Sequence, residues 1–141
     1  MSVVVGQRNV KDTPFNNKCY AVDATLDLAL HTLKICSNEN IFTPEYKEIT
    51  CRIIDNSIGI YLNADRANRI NAIKNPVEWS ERDSRQRAAI AKCNELLSLI
   101  NLSKRAFHLR NNKVDYWTGK VVSTRNLLEK WYDADCKRHF Q

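Results

Sequence analysis

Apolar residues recur along this chain at spacings of three and four, the period of an amphipathic α-helix. Val22, Leu26, Ala29, Leu30 and Leu33 mark a first helix over residues 18–37. Asn16 or Asn17 offers an amide oxygen to its first-turn N–H groups, and Asp23 and Asp27 stand near the positive end of its dipole. Ser37-Asn38-Glu39-Asn40 then breaks the pattern. A second helix opens at Thr43-Pro44-Glu45: the hydroxyl suits an N-cap, and Pro44 suits the first helical position, where its missing N–H costs nothing. Tyr46, Ile49, Ile53, Ile60 and Ala64 carry this helix to residue 70. Gly59 lies in its middle at a cost of about 1 kcal/mol relative to Ala, so close packing of a neighbouring helix is expected there.

Residues 71–79, NAIKNPVEW, read as a connection, because Pro76 disfavours helix at Asn75. Ser80-Glu81-Arg82-Asp83 has the form of a capping box, and a third helix is expected over 81–109. Its face Gln86, Ala89, Cys93, Leu96, Leu97, Ile100, Ser103 and Phe107 is widened by Ile90, Leu99 and Leu102. A helix this apolar is buried on several sides or meets a second subunit. Arg110-Asn111-Asn112 forms a turn with Asn112 as cap. The fourth helix, 113–137, carries Val114, Trp117, Val121, Thr124, Leu128 and Trp131 at the 3-4-3-4 spacing of near-parallel or antiparallel packing.

Short connections make successive helices antiparallel. The expected fold class is therefore all-α: an up-down-up-down four-helix bundle over residues 16–141, preceded by a tail over 1–15. Within the tail, Val3-Val4-Val5 is a short extended segment without a periodic partner. The length of 141 residues fits one domain, and three Gly and three Pro are too few for a turn-rich β protein.

Charge adds a functional hint. Residues 1–72 carry eight Lys/Arg and eight Asp/Glu, whereas residues 73–141 carry fourteen and eight. The whole net charge of +6 thus lies in the second half, an asymmetry that points to an anionic partner or to a solvated surface. The five cysteines, at 19, 36, 51, 93 and 136, are odd in number and have no CxxC spacing. The opening MSVVVGQRNVKD lacks the charged start and long apolar run of a secretory leader. No stretch approaches the roughly 20 apolar residues of a membrane span. A reducing, cytoplasmic setting with free thiols and no membrane partner is expected.

Catalytic motifs are missing. There is no glycine-rich phosphate loop, no H-E-x-x-H and no Gly-x-Ser-x-Gly. The Glu-x-x-His pattern of di-metal bundles is also absent, which disfavours a metal-dependent enzyme. His31, His108 and His139 are isolated, with one weak Cys136-x-x-His139 pair. The expectation is a protein without enzymatic activity, metal or cofactor. Trp117 and Trp131 lie on the apolar stripe and read as core. Trp79, Tyr116 and Tyr132 lie off it and are candidates for contact with a neighbouring subunit.

The basic residues are the most informative polar set. On a helical wheel Arg87 and Arg105 coincide opposite the apolar face of the third helix, and Arg85, Lys92 and Arg110 form a row on its flank. On the fourth helix Lys113, Lys120 and Arg138 form one row, and Lys130 and Lys137 another. Cations about 10 Å apart along a helix match a phosphate backbone, whose counterions they release. These ten are the candidate nucleic-acid-binding residues. A solvated helix face has the same pattern, so both readings stay open.

The order of motifs resembles the accessory variability determinant proteins of diversity-generating retroelements, which belong with the four-helix-bundle proteins encoded in bacterial 23S rRNA intervening sequences. The residues that carry the resemblance are Cys19-Tyr20 with the apolar first helix, then Ile41-Phe42-Thr43-Pro44 before the second. Ala64-Asp65-Arg66-Ala67-Asn68 follows near the second helix's end. The third helix has Arg85, Gln86 and Ala89 ahead of Cys93-Asn94-Glu95-Leu96-Leu97-Ser98-Leu99-Ile100, and the fourth Leu127-Leu128-Glu129-Lys130-Trp131. The likeness spans most of residues 18–139.

It implies a subunit of a homopentameric barrel, without enzymatic activity, that contacts a reverse transcriptase together with template RNA or cDNA in mutagenic retrohoming. It carries over no catalytic residue. The acidic content of the first half departs from a uniformly basic barrel and implies that one face or end carries the charge. The alternative is a structural or ribosome-associated bundle of the intervening-sequence type with no polymerase partner.

Overall fold

The computed structural model describes residues 19–71 and 75–140. The expected tail, the Asn16 or Asn17 cap and the Val3-Val4-Val5 segment lie outside them. Among the described residues the chain is all-α, with four long helices and no strand. They are α1 (Tyr20–Cys36), α2 (Lys47–Asn68), α3 (Pro76–Ala106) and α4 (Asn111–His139), with a single 3₁₀ turn, Pro44–Tyr46, leading into α2.

Each helix packs along two neighbours, α1 with α2 and α4, and α3 with α2 and α4. Cross-helix pairs show the antiparallel sense. Arg66 near the end of α2 meets Glu81 near the start of α3 at 3.2 Å. Tyr132 late in α4 donates to Asp83 early in α3 at 2.7 Å. Trp117 early in α4 donates through Nε1 to Thr32 Oγ1 late in α1 at 3.2 Å. Leu28, Ile53, Ile60, Leu96, Ile100, Trp117, Val121 and Leu128 form the middle of the core. None of these helices is long and apolar enough to cross a membrane.

The stripes expected on the third and fourth helices are the buried ones, Gln86 to Ser103 on α3 and Val114 to Leu128 on α4. That of the first helix is buried only at Val22 and Ala29. α1 buries Ala21, Val22, Thr25, Leu28, Ala29, Thr32 and Cys36. Leu26, Leu30 and Leu33 stand 39%, 57% and 37% exposed. The two core threonines bring their own partners, Thr25 Oγ1 donating to Val22 O at 2.6 Å and Thr32 accepting from Trp117. A hydroxyl so satisfied loses most of its burial penalty.

Two helix starts also differ from the sequence reading. α3 begins at Pro76, five residues ahead of the expected residue 81. Asn75 is extended (φ −154°, ψ 125°), and its side chain accepts from the N–H of Val77 at 2.8 Å and of Glu78 at 3.3 Å. The extended backbone that proline imposes on its predecessor is what an N-cap requires. Ser80 and Asp83 therefore lie inside the helix and form no capping box. Arg110, rather than Asn112, is the N-cap of α4, and the Asn112 side chain accepts only from Lys113 N at 2.9 Å. α3 stops at Ala106 because the chain turns at His108, which has a left-handed φ of 54°. The turn drops Phe107 onto Phe42, with ring centroids 4.8 Å apart.

At the opposite end of the bundle the closure is ionic. Arg82 Nε donates to Asp135 Oδ2 at 2.6 Å, and its Nη1 donates to the backbone oxygen of Ile70 at 2.8 Å. Gln86 Nε2 also donates to Asp135 Oδ2 at 2.9 Å, and Trp131 lies 5.3 Å under the guanidinium. One side chain thus joins the end of α2 to α3 and α4. Gly59 has a cause other than a neighbouring backbone: a Cβ there would come within 3.1 Å of Lys92 Cδ, so the lysine stem lies across the gap.

Candidate nucleic-acid interface

The ten cations singled out from the sequence do not form one continuous strip. Arg85 and Lys92 lie on the seam between α3 and α2, where Arg85 Nη1 donates to Asn63 Oδ1 at 3.3 Å and Lys92 covers Gly59. Arg87 is held by Asp83 at 2.9 Å, and Arg138 is paired with Asp135. These four serve the fold. Arg110 leaves the row it was given with Arg85 and Lys92, because α3 ends before it and the turn at His108 carries it to the start of α4.

Arg105, Arg110, Lys113, Lys120, Lys130 and Lys137 have no ion pair among the described residues. All but Lys120 are exposed, and Lys120 is half-buried. Lys113 and Lys120 lie two turns apart on the flank of α4 that faces α1, about 10 Å along the axis. The α1 side of this seam adds His31 and Lys34. Burial, followed by the nearby Lys120 and Lys34, pushes the His31 imidazole below its usual pKa. The structure thus gathers Lys34, Lys113 and Lys120 around one histidine. Lys34 and His31 were missed in the sequence because the neutral first half masked a locally basic edge. A count of charge by helix end, rather than by half-chain, is the signal that finds them.

Between the loop before α2 and the start of α4 lies a cleft of about 480 Å³. Its floor includes Phe42 and Trp117, and its rim carries Lys34, Lys113 and Tyr116. Tyr116 is 64% exposed, its ring set edge-on to His31 at 5.2 Å. Among the described residues no carboxylate lines the cleft.

The other off-stripe aromatics are engaged within the chain. Tyr132 bonds Asp83, and Trp79 stacks on His139 at 4.1 Å with planes 8° apart. His139 thus packs on a ring, and among the described residues no group of three or more His, Cys, Asp or Glu is placed to hold a metal. The described cysteines are free. Burial pushes the thiols of Cys36 and Cys93 up to about 12 and that of Cys19 up to about 11, so all three behave as small core residues.

Comparison with protein-family models, with curated proteins and with solved structures finds no match to this chain.

Proposed function

We propose that this protein is a non-enzymatic accessory subunit of a diversity-generating retroelement, binding its reverse transcriptase and the template RNA or cDNA to support mutagenic retrohoming. The observation that carries the nucleic-acid part is the set of six cations without ion pairs among the described residues, Arg105, Arg110, Lys113, Lys120, Lys130 and Lys137. A helical surface that leaves its cations free of carboxylates is suited to neutralising phosphates. The retroelement assignment rests on the motif resemblance.

Assembly into a homo-oligomer, a pentameric barrel by the same resemblance, is supported by the leucines on the outer side of α1. Leu26, Leu30 and Leu33 are exposed, and so is Leu62 of α2, at 56%. His31 marks the flank of α1 that faces α4, so the leucines, on the far flank, lie toward α2. The four expose the equivalent of nearly two leucine side chains, whose burial contributes about 3–6 kcal/mol.

The test combines solution mass with binding of labelled RNA across a salt series. Six contacts to a single strand give a log–log salt slope of roughly −4. A monomer with no RNA affinity at low salt refutes the proposal. RNA binding without capture of a retroelement reverse transcriptase favours the intervening-sequence alternative.

A further inference from the structure

We propose that the cleft between the α1–α2 loop and the start of α4 is a subsite for one unpaired nucleotide of a single-stranded nucleic acid. The inference rests on the nucleic-acid reading above and deepens it by placing a base as well as phosphates. Shape comes first. A volume of about 480 Å³ lies in the range of small-molecule pockets, and its apolar floor of Phe42 and Trp117 suits a flat ring. The Tyr116 ring at the rim is 64% exposed and stands at 65° to the His31 ring, 5.2 Å away. Its face is available for stacking, which is the main source of affinity for an unpaired base.

Charge and hydrogen bonding select the rest of the ligand. Lys34 on α1 and Lys113 on α4 stand on facing rims with no ion pair among the described residues. Among the described residues the cleft carries no carboxylate to repel a phosphate. Asn38 and Asn112 also line it. Each uses its side-chain oxygen on a nearby backbone N–H, Asn40 at 3.1 Å and Lys113 at 2.9 Å. Their amide NH₂ groups remain for the carbonyl and ring-nitrogen acceptors on a base edge. A base inside a duplex is stacked and paired, so only a strand end, loop or bulge presents these features.

The test measures binding of the full chain to a labelled single-stranded RNA and to a blunt-ended duplex without loop or overhang, by fluorescence anisotropy at low salt. The variants are Tyr116→Ala, Tyr116→Phe, Lys34→Ala and, as a charge control away from the cleft, Lys137→Ala. Tyr116 is exposed, so its replacement leaves the core intact. Tyr116→Ala is expected to weaken single-strand binding about 5- to 150-fold, the size of one lost base stack, while Tyr116→Phe retains it. Duplex binding is expected to be unchanged in both, and Lys137→Ala to weaken both RNAs alike.

If the protein binds RNA but Tyr116→Ala equals wild type, the subsite is wrong and the wider reading stands. If the protein binds no nucleic acid, both fail. Displacement of the RNA by free mononucleotides at concentrations as low as the RNA itself assigns the cleft to a free nucleotide and overturns the proposal.

Discussion

Removal of Asp135 is expected to be among the most damaging single changes in this protein. Its side chain is 4% exposed and receives Arg82 Nε at 2.6 Å, Gln86 Nε2 at 2.9 Å and the Arg138 guanidinium. At an effective dielectric near 20, charges 2.6 Å apart attract by about 6 kcal/mol. Stripping water from the two ions costs several kcal/mol each. The pair therefore contributes little net stability, yet either ion alone is expensive. Asp135→Ala strands Arg82, 13% exposed, and is expected to cost about 3–5 kcal/mol. In a chain of this length that lowers Tm by on the order of 10 °C. Replacing both ions at once, with Arg82→Met and Asp135→Leu, removes the stranded charge but leaves the buried Gln86 amide without its acceptor, so the double variant is expected to cost about 1–3 kcal/mol, less than Asp135→Ala alone. The assay is a double-mutant cycle by urea denaturation. Single effects below about 1 kcal/mol, or effects that simply add, refute the view that this site is held by mutual neutralisation.

Gly119 lies on the exposed side of α4, with nothing within 4 Å of an added Cβ, so Gly119→Ala is expected to stabilise by about 1 kcal/mol, read as a higher urea midpoint. Thiol alkylation at pH 8 with mass mapping is expected to modify exposed Cys51 first and half-buried Cys136 next, sparing Cys19, Cys36 and Cys93 until the chain unfolds; comparable labelling of Cys93 in the folded protein contradicts the burial described. His31 sits below its usual 6.5 through burial, Lys120 and Lys34. Between the two values the unfolded chain binds more protons, so the His31 contribution is intact above pH 6.5 and is lost as pH falls through the lower folded value. Urea midpoints at pH 7.5 and 5.5 are expected to differ less in His31→Gln than in wild type.

The periodicities of α3 and α4 were legible because their buried positions are the apolar ones, Ala89, Cys93, Leu96 and Ile100 against Val114, Trp117, Val121 and Leu128. In α1 the most oily stripe points outward, and two threonines take the inside. Hydropathy cannot register that Thr32 meets Trp117 Nε1 from 85 positions along the chain. Asn75-Pro76 was read as an interruption when it is a start, since the same extended backbone serves both. The ten basic candidates were visible as residue types, but not all of their roles were. The pairs of Arg87 with Asp83 and of Arg138 with Asp135 are i,i+4 and i,i+3 neighbours on one helix that the spacing allows, whereas only tertiary contacts reveal that Lys92 fills the space over Gly59 and that Lys34 joins Lys113 across a seam.

The two ends of the bundle are sealed by unlike materials. One is shut by the Arg82–Asp135 ions and the other by the Phe42–Phe107 rings. Apolar attraction fades on cooling, while the dehydration cost of ions eases on warming. Both terms weaken the seals as temperature falls, so cooling loosens the two ends together, and amide exchange near Arg82 and near Phe42 and Phe107 is expected to quicken in the same direction.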